Sequence, residues 1–265
     1  MNLIFTKTSI GYAHIKSGKP CQDFSSCYRD EERIIITCSD GHGGDLYIRS
    51  QYGSKFASDA LIRTFLRVEK QMLYPSKIKN TLENVKLNIL CEWNALVEEH
   101  LKKYPIYKSD VSELKENDVI KLKKNPVKAY GTTLCGAMIF CGKLLGVQIG
   151  DGGAFLLQKG SPMPMFAEND EEQVGNLTYS MCEDDAFQHM QAGMFEKKSF
   201  DGVLLCTDGV VNPYQNYANF SEYFIKKVVD DLKGGNAKDL EDFIVSLGQK
   251  DGLGDDVSLG VWLKV

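Results

Sequence analysis

The chain has 265 residues, 43% of them hydrophobic and 25% charged, with a formal net charge of −5. That apolar content supports a sizeable core and excludes a largely disordered chain. The acidic balance excludes a general nucleic-acid binder, which needs basic side chains against phosphates.

Taken in order, residues 2–14 and 21–28 read as short strands around a turn at Ser17-Gly18-Lys19-Pro20. Arg33 to Cys38 is a more apolar strand, expected to be buried on both faces. From Asp45 to about Lys70 the period changes: Ile48, Phe56, Ala60, Leu61, Phe65 and Leu66 recur at helical spacing. A second long helix is predicted over Lys77–Lys103, with Leu82, Val85, Ile89, Trp93, Leu96, Val97 and Leu101 on one stripe. Residues 104–128 are lysine-rich and read as a loop or a weak β excursion.

"TTLCGAMIF", "KLLGVQIG" and "GAFLLQK" then predict a three-stranded meander joined by glycine-containing turns. Residues 160–199 carry Pro162, Pro164, an acidic cluster from Glu168 to Glu172 and a short helical pattern at Asp184–Met190. Such a long connection suggests a functional flap. A strand at 202–209, helices at Ser221–Leu232 and Ala237–Leu247, and a last strand in "GLGDDVSLGVWLKV" complete the chain. Sheet and helix come in blocks, so the class is α+β, and no repeat or low-complexity linker divides residues 1–265 into more than one domain.

The eight cysteines form no CxxC pair, which argues against a structural zinc site. Cys38, Cys135 and Cys206 lie in apolar runs, as reduced, buried thiols do. The N-terminus lacks the pattern of a signal peptide, and the longest apolar region is broken by Cys141-Gly142-Lys143. A cytoplasmic location without a membrane span is the expectation.

Acids recur at strand ends. Asp40-Gly41 follows "IIITCS", Asp151-Gly152 follows "LLGVQIG", Asp208-Gly209 follows "GVLLCT", and Asp255-Asp256 precedes "VSLGVWL". Asp23 lies near the start of another predicted strand. Any one Asp-Gly alone reads as a turn. Several carboxylates gathered at the end of a sheet repel one another and are costly to desolvate without a cation. Hard divalent ions with oxygen ligands, Mg²⁺ or Mn²⁺, are their natural partners. Two such ions about 3.5–4 Å apart can hold a bridging water, lower its pKa and aim it at phosphorus.

On "CQDFS", "SDGHGG", "GTTL", "IGDGGAFLL", "LLCTDGV" and "GLGDDVSLGVWL", in that order, the chain resembles PP2C-type metal-dependent Ser/Thr protein phosphatases, the PPM family, and its compact bacterial branch. "DGHGG" and the final "GDD" are the specific matches. The resemblance implies a PP2C-like four-layer α-β-β-α sandwich with two central, mostly antiparallel sheets. It implies two Mn²⁺ or Mg²⁺ ions and hydrolysis of phosphoserine and phosphothreonine on proteins, with a cognate Ser/Thr kinase as a counterpart. Asp40 would bridge the ions, with the Gly41 carbonyl as a further ligand. Asp208 and Asp255 would bind one ion, Asp23 would hold metal-bound water, and Asp151 with Asp208 would take a third, weaker ion. His42 would protonate the leaving group, a role open to an imidazole near neutral pH.

The chain departs from the family pattern in three places. Gln22 stands where many relatives have an acid, and Asn212 replaces an acid of some members. The arginine that binds substrate phosphate in eukaryotic members falls at Gly18. Lys16, Lys19 and Arg49 are the cations nearby, each also readable as an ordinary solvated charge; Arg49 follows His42 by seven residues, nearly the same face of a helix. A non-catalytic binding or regulatory module of the same fold, and a hydrolase of small phosphoesters, are the competing readings.

Overall fold

The computed structural model describes residues 2–167, 178–196, 198, 200–214, 217–250, 252 and 254–265. Chain order runs β1 (Asn2–Ser9), α1 (Tyr12–Ser17), β2 (Phe24–Arg29), β3 (Arg33–Ser39), α2 (Ser50–Leu66), α3 (Ile78–Lys103) and α4 (Glu116–Lys124). It continues through β4 (Leu134–Phe140), β5 (Lys143–Ile149), β6 (Gly153–Gln158), β7 (Ser161–Pro164), α5 (Ala186–His189) and β8 (Gln191–Glu196). The last elements are β9 (Gly202–Cys206), α6 (Asp208–Val211), α7 (Tyr217–Asn219), α8 (Lys226–Gly234), α9 (Ala237–Leu247) and β10 (Val257–Lys264).

The strands form two five-stranded sheets, β1-β10-β9-β6-β7 and β2-β3-β4-β5-β8, antiparallel throughout. Side-chain alternation along β3 shows how they stack. Ile34, Ile36 and Cys38 point into a core between the sheets, where they join Ala137, Leu205 and Trp262. Ile35 points the other way, to the core under α2 and α3 that holds Leu61, Phe65, Ile89 and Trp93. The opposite sheet is covered on its outer face by α8, α9 and the π-helical turn Phe220–Ile225, which bury Phe224, Val228, Leu240 and Ile244. Helices, sheet, sheet, helices: the four-layer sandwich expected from the sequence is the one observed. Among the described residues no helix is long and apolar enough to cross a membrane.

Three readings change. The predicted strand over 2–14 stops at Ser9 and turns into α1, because Gly11 N–H is taken by the Asp256 carboxylate and Gly18, at φ 69°, ends the helix in the left-handed region. Residues 104–128, read as a loop or a weak β excursion, hold no strand and carry α4 and two 3-10 turns between irregular links. In α4, Glu116 and Asp118 in the first turn and Lys121, Lys123 and Lys124 in the last complement the helix dipole. The first long helix starts at Ser50 instead of Asp45, leaving Asp45–Arg49 as an irregular link from the "SDGHGG" turn. Within 160–199 the structure has β7, α5 at the predicted helical pattern, and β8 on the edge of the second sheet. The acidic cluster Glu168–Glu172 lies outside the described residues.

Cys38, Cys135 and Cys206 are buried free thiols, and burial pushes all three up, away from the reactive thiolate.

Candidate active site

β3 delivers Asp40 to one end of the sandwich, and "GTT" fixes it there. The Thr133 hydroxyl accepts from Asp40 N–H at 3.1 Å, Thr133 N–H donates to Asp40 C=O at 2.8 Å, and the Thr132 hydroxyl donates to the same carbonyl at 2.8 Å. The next residue is held as closely. Gly41 N–H donates to Gln22 C=O at 3.1 Å, and a Cβ at Gly41 would lie 2.7 Å from the carbonyl oxygens of both Gln22 and Ser50. Only glycine lets the turn pass.

The second sheet end brings Asp208, the first residue of α6, immediately after β9. Thr207 ties it to its surroundings: the hydroxyl donates to Asp23 at 2.7 Å and accepts from Ser258 N–H at 2.9 Å. Asn212, one turn on, donates to the Asp208 carboxylate at 3.0 Å. Asp255 accepts from the N–H of Asp256 at 2.8 Å, which turns the loop before β10.

These elements enclose a cavity of about 210 Å³ lined by Asp40, Asp151, Asp208, Asp255 and Asp256, with His14, His42 and Gln22. Of the residues singled out in the sequence, Asp40, Gly41, His42, Asp151, Asp208 and Asp255 therefore meet in one place. Asp23 does not line the cavity; it sits behind it, buried, on Thr207. Arg49 is elsewhere. Its guanidinium donates to the Tyr130 hydroxyl at 3.0 Å and to Pro105 C=O at 3.0 Å, also meets Tyr104 C=O, and lies 3.6 Å from Asp110. Those four partners hold its guanidinium in tying the end of α3 to α2.

Burial is the first cause that raises Asp40, and the charges of Asp23 and Asp208 add to it. Asp208 is raised chiefly by burial, with Asp151 and Asp255 beside it. Asp23 is raised by burial, opposed by the Thr207 hydrogen bond. His42, edge-on to Tyr47 at 4.8 Å, is lowered by burial, while Asp151 and Glu183 pull it back up. The imidazole is thus biased toward its neutral form, which limits the fraction able to act as an acid.

Several acids held this close ask for a cation. The donor set is all oxygen, and the Oε1 atom of Gln22, on the cavity wall, is buried with no hydrogen-bond partner. Among the described residues no three His, Cys, Asp or Glu side chains already converge to cage an ion. That combination suits Mg²⁺ or Mn²⁺, which bind through one or two carboxylates and keep several waters, and it does not suit a closed zinc cage. The residues fit.

Two contributors escaped the sequence reading: His14, placed in a strand, and Asp256, noted only as a neighbour of Asp255. The Asp256 carboxylate accepts from Gly11 N–H at 2.7 Å, Gln22 N–H at 2.6 Å and His14 Nδ1 at 2.8 Å. Its partners lie up to 245 residues away, so no local pattern marks it.

The protein phosphatase 2C family matches residues 10–244. The chain belongs to that family. Its solved structural relatives agree with the fold. A bacterial serine phosphatase is 16% identical with a TM-score of 0.63, covering 99% of this chain and 97% of that one. The S. agalactiae serine/threonine phosphatase is 15% identical, covers 100% of each chain and has a TM-score of 0.57. The catalytic domain of the serine/threonine phosphatase PstP, solved in complex with two manganese ions, is 14% identical over 99% of each chain, with a TM-score of 0.53. Comparison with curated protein sequences finds no match. Membership in the family makes the chain a protein phosphatase whose class depends on metal.

Proposed function

We propose that the phosphatase hydrolyses phosphoserine and phosphothreonine in proteins, at the cavity where Asp40, Asp151, Asp208 and Asp255 meet. The observation that carries this reading is that meeting itself: acids from both sheets, held by the Thr133 hydroxyl, the Asn212 amide and the Asp256 N–H, around an oxygen-lined hollow. Asp40, the Gly41 carbonyl, Asp208 and Asp255 would hold two Mn²⁺ or Mg²⁺ ions, and Asp151 with Asp208 a third, weaker one. Bound there, the ions supply charge neutralisation and Lewis acidity for attack of water on phosphorus.

The protein's own groups do the rest. Gln22 orients water at the cavity wall, Asp23 anchors the Thr207 hydroxyl behind it, and His42 delivers a proton to the departing serine or threonine oxygen. At about 210 Å³ the cavity has room for a phosphorylated side chain but not for the polypeptide bearing it. The polypeptide can lie in a neighbouring depression of about 450 Å³, which shares Gln22 and Gly43 with the cavity and is bordered by Ser109–Leu114. That adjoining surface favours phosphoproteins, the products of a Ser/Thr kinase, over small phosphoesters. The ordered acid set argues against a binding module.

The deciding experiment is turnover of a phosphothreonine peptide with and without Mn²⁺, alongside Asp208→Ala. Metal-dependent hydrolysis lost in the variant is the expected result; no turnover with any divalent ion would overturn the reading.

A further inference from the structure

The acid cavity presents an electrostatic problem of its own. Five aspartates line it, and among the described residues no lysine or arginine does. A phosphate dianion entering it meets only two side chains able to carry positive charge, His14 and His42. The three cations that the sequence offered are not at the cavity. Lys16 is exposed on α1, Lys19 borders the adjoining depression, and Arg49 is occupied by Tyr104, Pro105, Tyr130 and Asp110.

The two histidines are built differently. His42 is biased by burial toward the neutral form. His14 is held by a carboxylate. Asp256 is 4% exposed and is itself fixed by the N–H groups of Gly11 and Gln22, so its position is set by backbone. Its Oδ2 lies 2.8 Å from His14 Nδ1, and both carboxyl oxygens already accept from backbone N–H groups, which casts Nδ1 as the donor. The other ring nitrogen, Nε2, has no hydrogen-bond partner among the described residues, and the ring forms part of the cavity wall. Asp256 and the backbone behind it thus engage Nδ1 and leave Nε2 as the ring's other polar atom, on a side chain that lines the cavity.

We infer that His14 is a substrate-binding residue, its Nε2 donating to an oxygen of the phosphoryl group, and that Asp256 is the positioning residue that fixes it. The inference rests on the phosphatase reading above. An imidazole ring that carries a proton on each nitrogen offers two donors, one for Asp256 and one for the phosphoryl oxygen. A carboxylate that orients the far nitrogen of a working histidine is a common device at metal and catalytic sites. Packing keeps the arrangement tight, since a Cβ at Gly11 would lie 2.2 Å from the Asp255 carbonyl carbon, with α1 seated directly on the acid loop.

The test compares wild type, His14→Ala and the milder His14→Gln, each with Mn²⁺ and each checked for folding by circular dichroism. Three quantities are read: KM and kcat for a phosphothreonine peptide, the inhibition constant of inorganic phosphate, and the Mn²⁺ dissociation constant by calorimetry. Loss of a charge-assisted hydrogen bond predicts that KM and the phosphate constant rise together by about tenfold to a hundredfold. We expect kcat to move less than KM and Mn²⁺ affinity to stay unchanged. A phosphate constant unaltered in both variants overturns the proposal. So does an equal loss of Mn²⁺ affinity, which would make His14 a metal ligand. Should wild type fail to turn over the peptide, the phosphatase reading falls separately, and direct calorimetry of phosphate binding to the Mn²⁺-loaded protein still decides the role of His14.

Discussion

Asp40 and Asp208 line the same cavity, although Asp40 follows β3 of one sheet and Asp208 follows β9 of the other. Burial raises both groups, and the charges of the other cavity aspartates add to it, so their ionised forms are costly without a cation. The closure of the sandwich at this end is therefore held against charge repulsion.

A dependence on pH and metal follows. Groups raised in the folded state bind protons more tightly there than in the unfolded chain, so their contribution to stability is present in acid and is lost as pH rises through their folded values. For Asp23, Asp40 and Asp208 that loss begins above the ordinary aspartate value of 3.8. Chelated protein should melt at a falling temperature as pH is raised from about 4 toward 7. Mn²⁺ at 100 times its dissociation constant should restore about 2.7 kcal/mol at neutral pH, a rise of about 5 °C or more. A melting temperature indifferent to Mn²⁺ at pH 7 would contradict this account.

Asp208→Asn separates the two roles of that acid. Removing one negative charge relieves Asp40, Asp151 and Asp255, so the chelated variant should melt higher than chelated wild type. The same change weakens the ion site, so the Mn²⁺-induced rise should shrink to near zero. Differential scanning fluorimetry with EDTA or Mn²⁺ reads both effects, and a variant less stable than wild type in EDTA would refute the repulsion argument.

Much of this was legible in the sequence because the signals are local. The 2-residue alternation of Ile34, Ile36 and Cys38 against Ile35 and the helical stripe of Val85, Ile89, Trp93 and Val97 depend only on neighbours along one element. The Asp-Gly endings of β3 and β9 are equally local, and their acids do meet. What stayed hidden depends on partners far apart in the chain. Gly11 bends into α1 because of Asp256, and Arg49 is diverted from the cavity by Tyr130 and by Pro105, the latter in a stretch that read as a loop or a weak β excursion. A basic residue near a motif cannot announce that distant carbonyls have already claimed it.

Asp256 should be the costliest of the cavity acids to remove. Asp256→Ala strips the acceptor from Gly11 N–H, Gln22 N–H and His14 at once, and Gly11 and Gln22 are packed where water has little access. An orphaned buried donor costs about 1–3 kcal/mol, so two of them put the loss at about 2–6 kcal/mol. Urea denaturation of the chelated variant gives the number directly. A loss under about 1 kcal/mol would mean that these bonds are not needed to hold α1 on the acid loop.

Trp93 links the two long helices: on α3, it is fully buried and donates from Nε1 to Gly53 C=O of α2 at 3.1 Å. Gly53 must be glycine here, since a Cβ would lie 2.0 Å from Tyr130 C=O. Trp93→Phe should cost about 1–3 kcal/mol from the lost bond and the space left behind. The chain has 2 tryptophans, so Trp262 remains as the single fluorescent reporter in the variant. A urea midpoint equal to wild type would show that the α2–α3 pair is held by the aliphatic contacts alone.

The role of His42 can be tested by changing the leaving group. If His42 donates a proton to the departing oxygen, its removal should matter most when that oxygen is an alkoxide of serine or threonine. It should matter least for an aryl phosphate, whose phenolate leaves without help. His42→Ala is expected to lower kcat on a phosphothreonine peptide by about 100-fold to 10,000-fold, and much less on p-nitrophenyl phosphate. Burial lowers His42 below its ordinary value of 6.5, so the protonated fraction that does this work grows as pH falls toward that lowered value. The ratio of wild-type to variant kcat on the peptide should therefore increase as the pH is taken down from 8 to about 6. Equal losses on both substrates at every pH would instead assign the His42 ring to holding the "SDGHGG" turn through its contact with Tyr47.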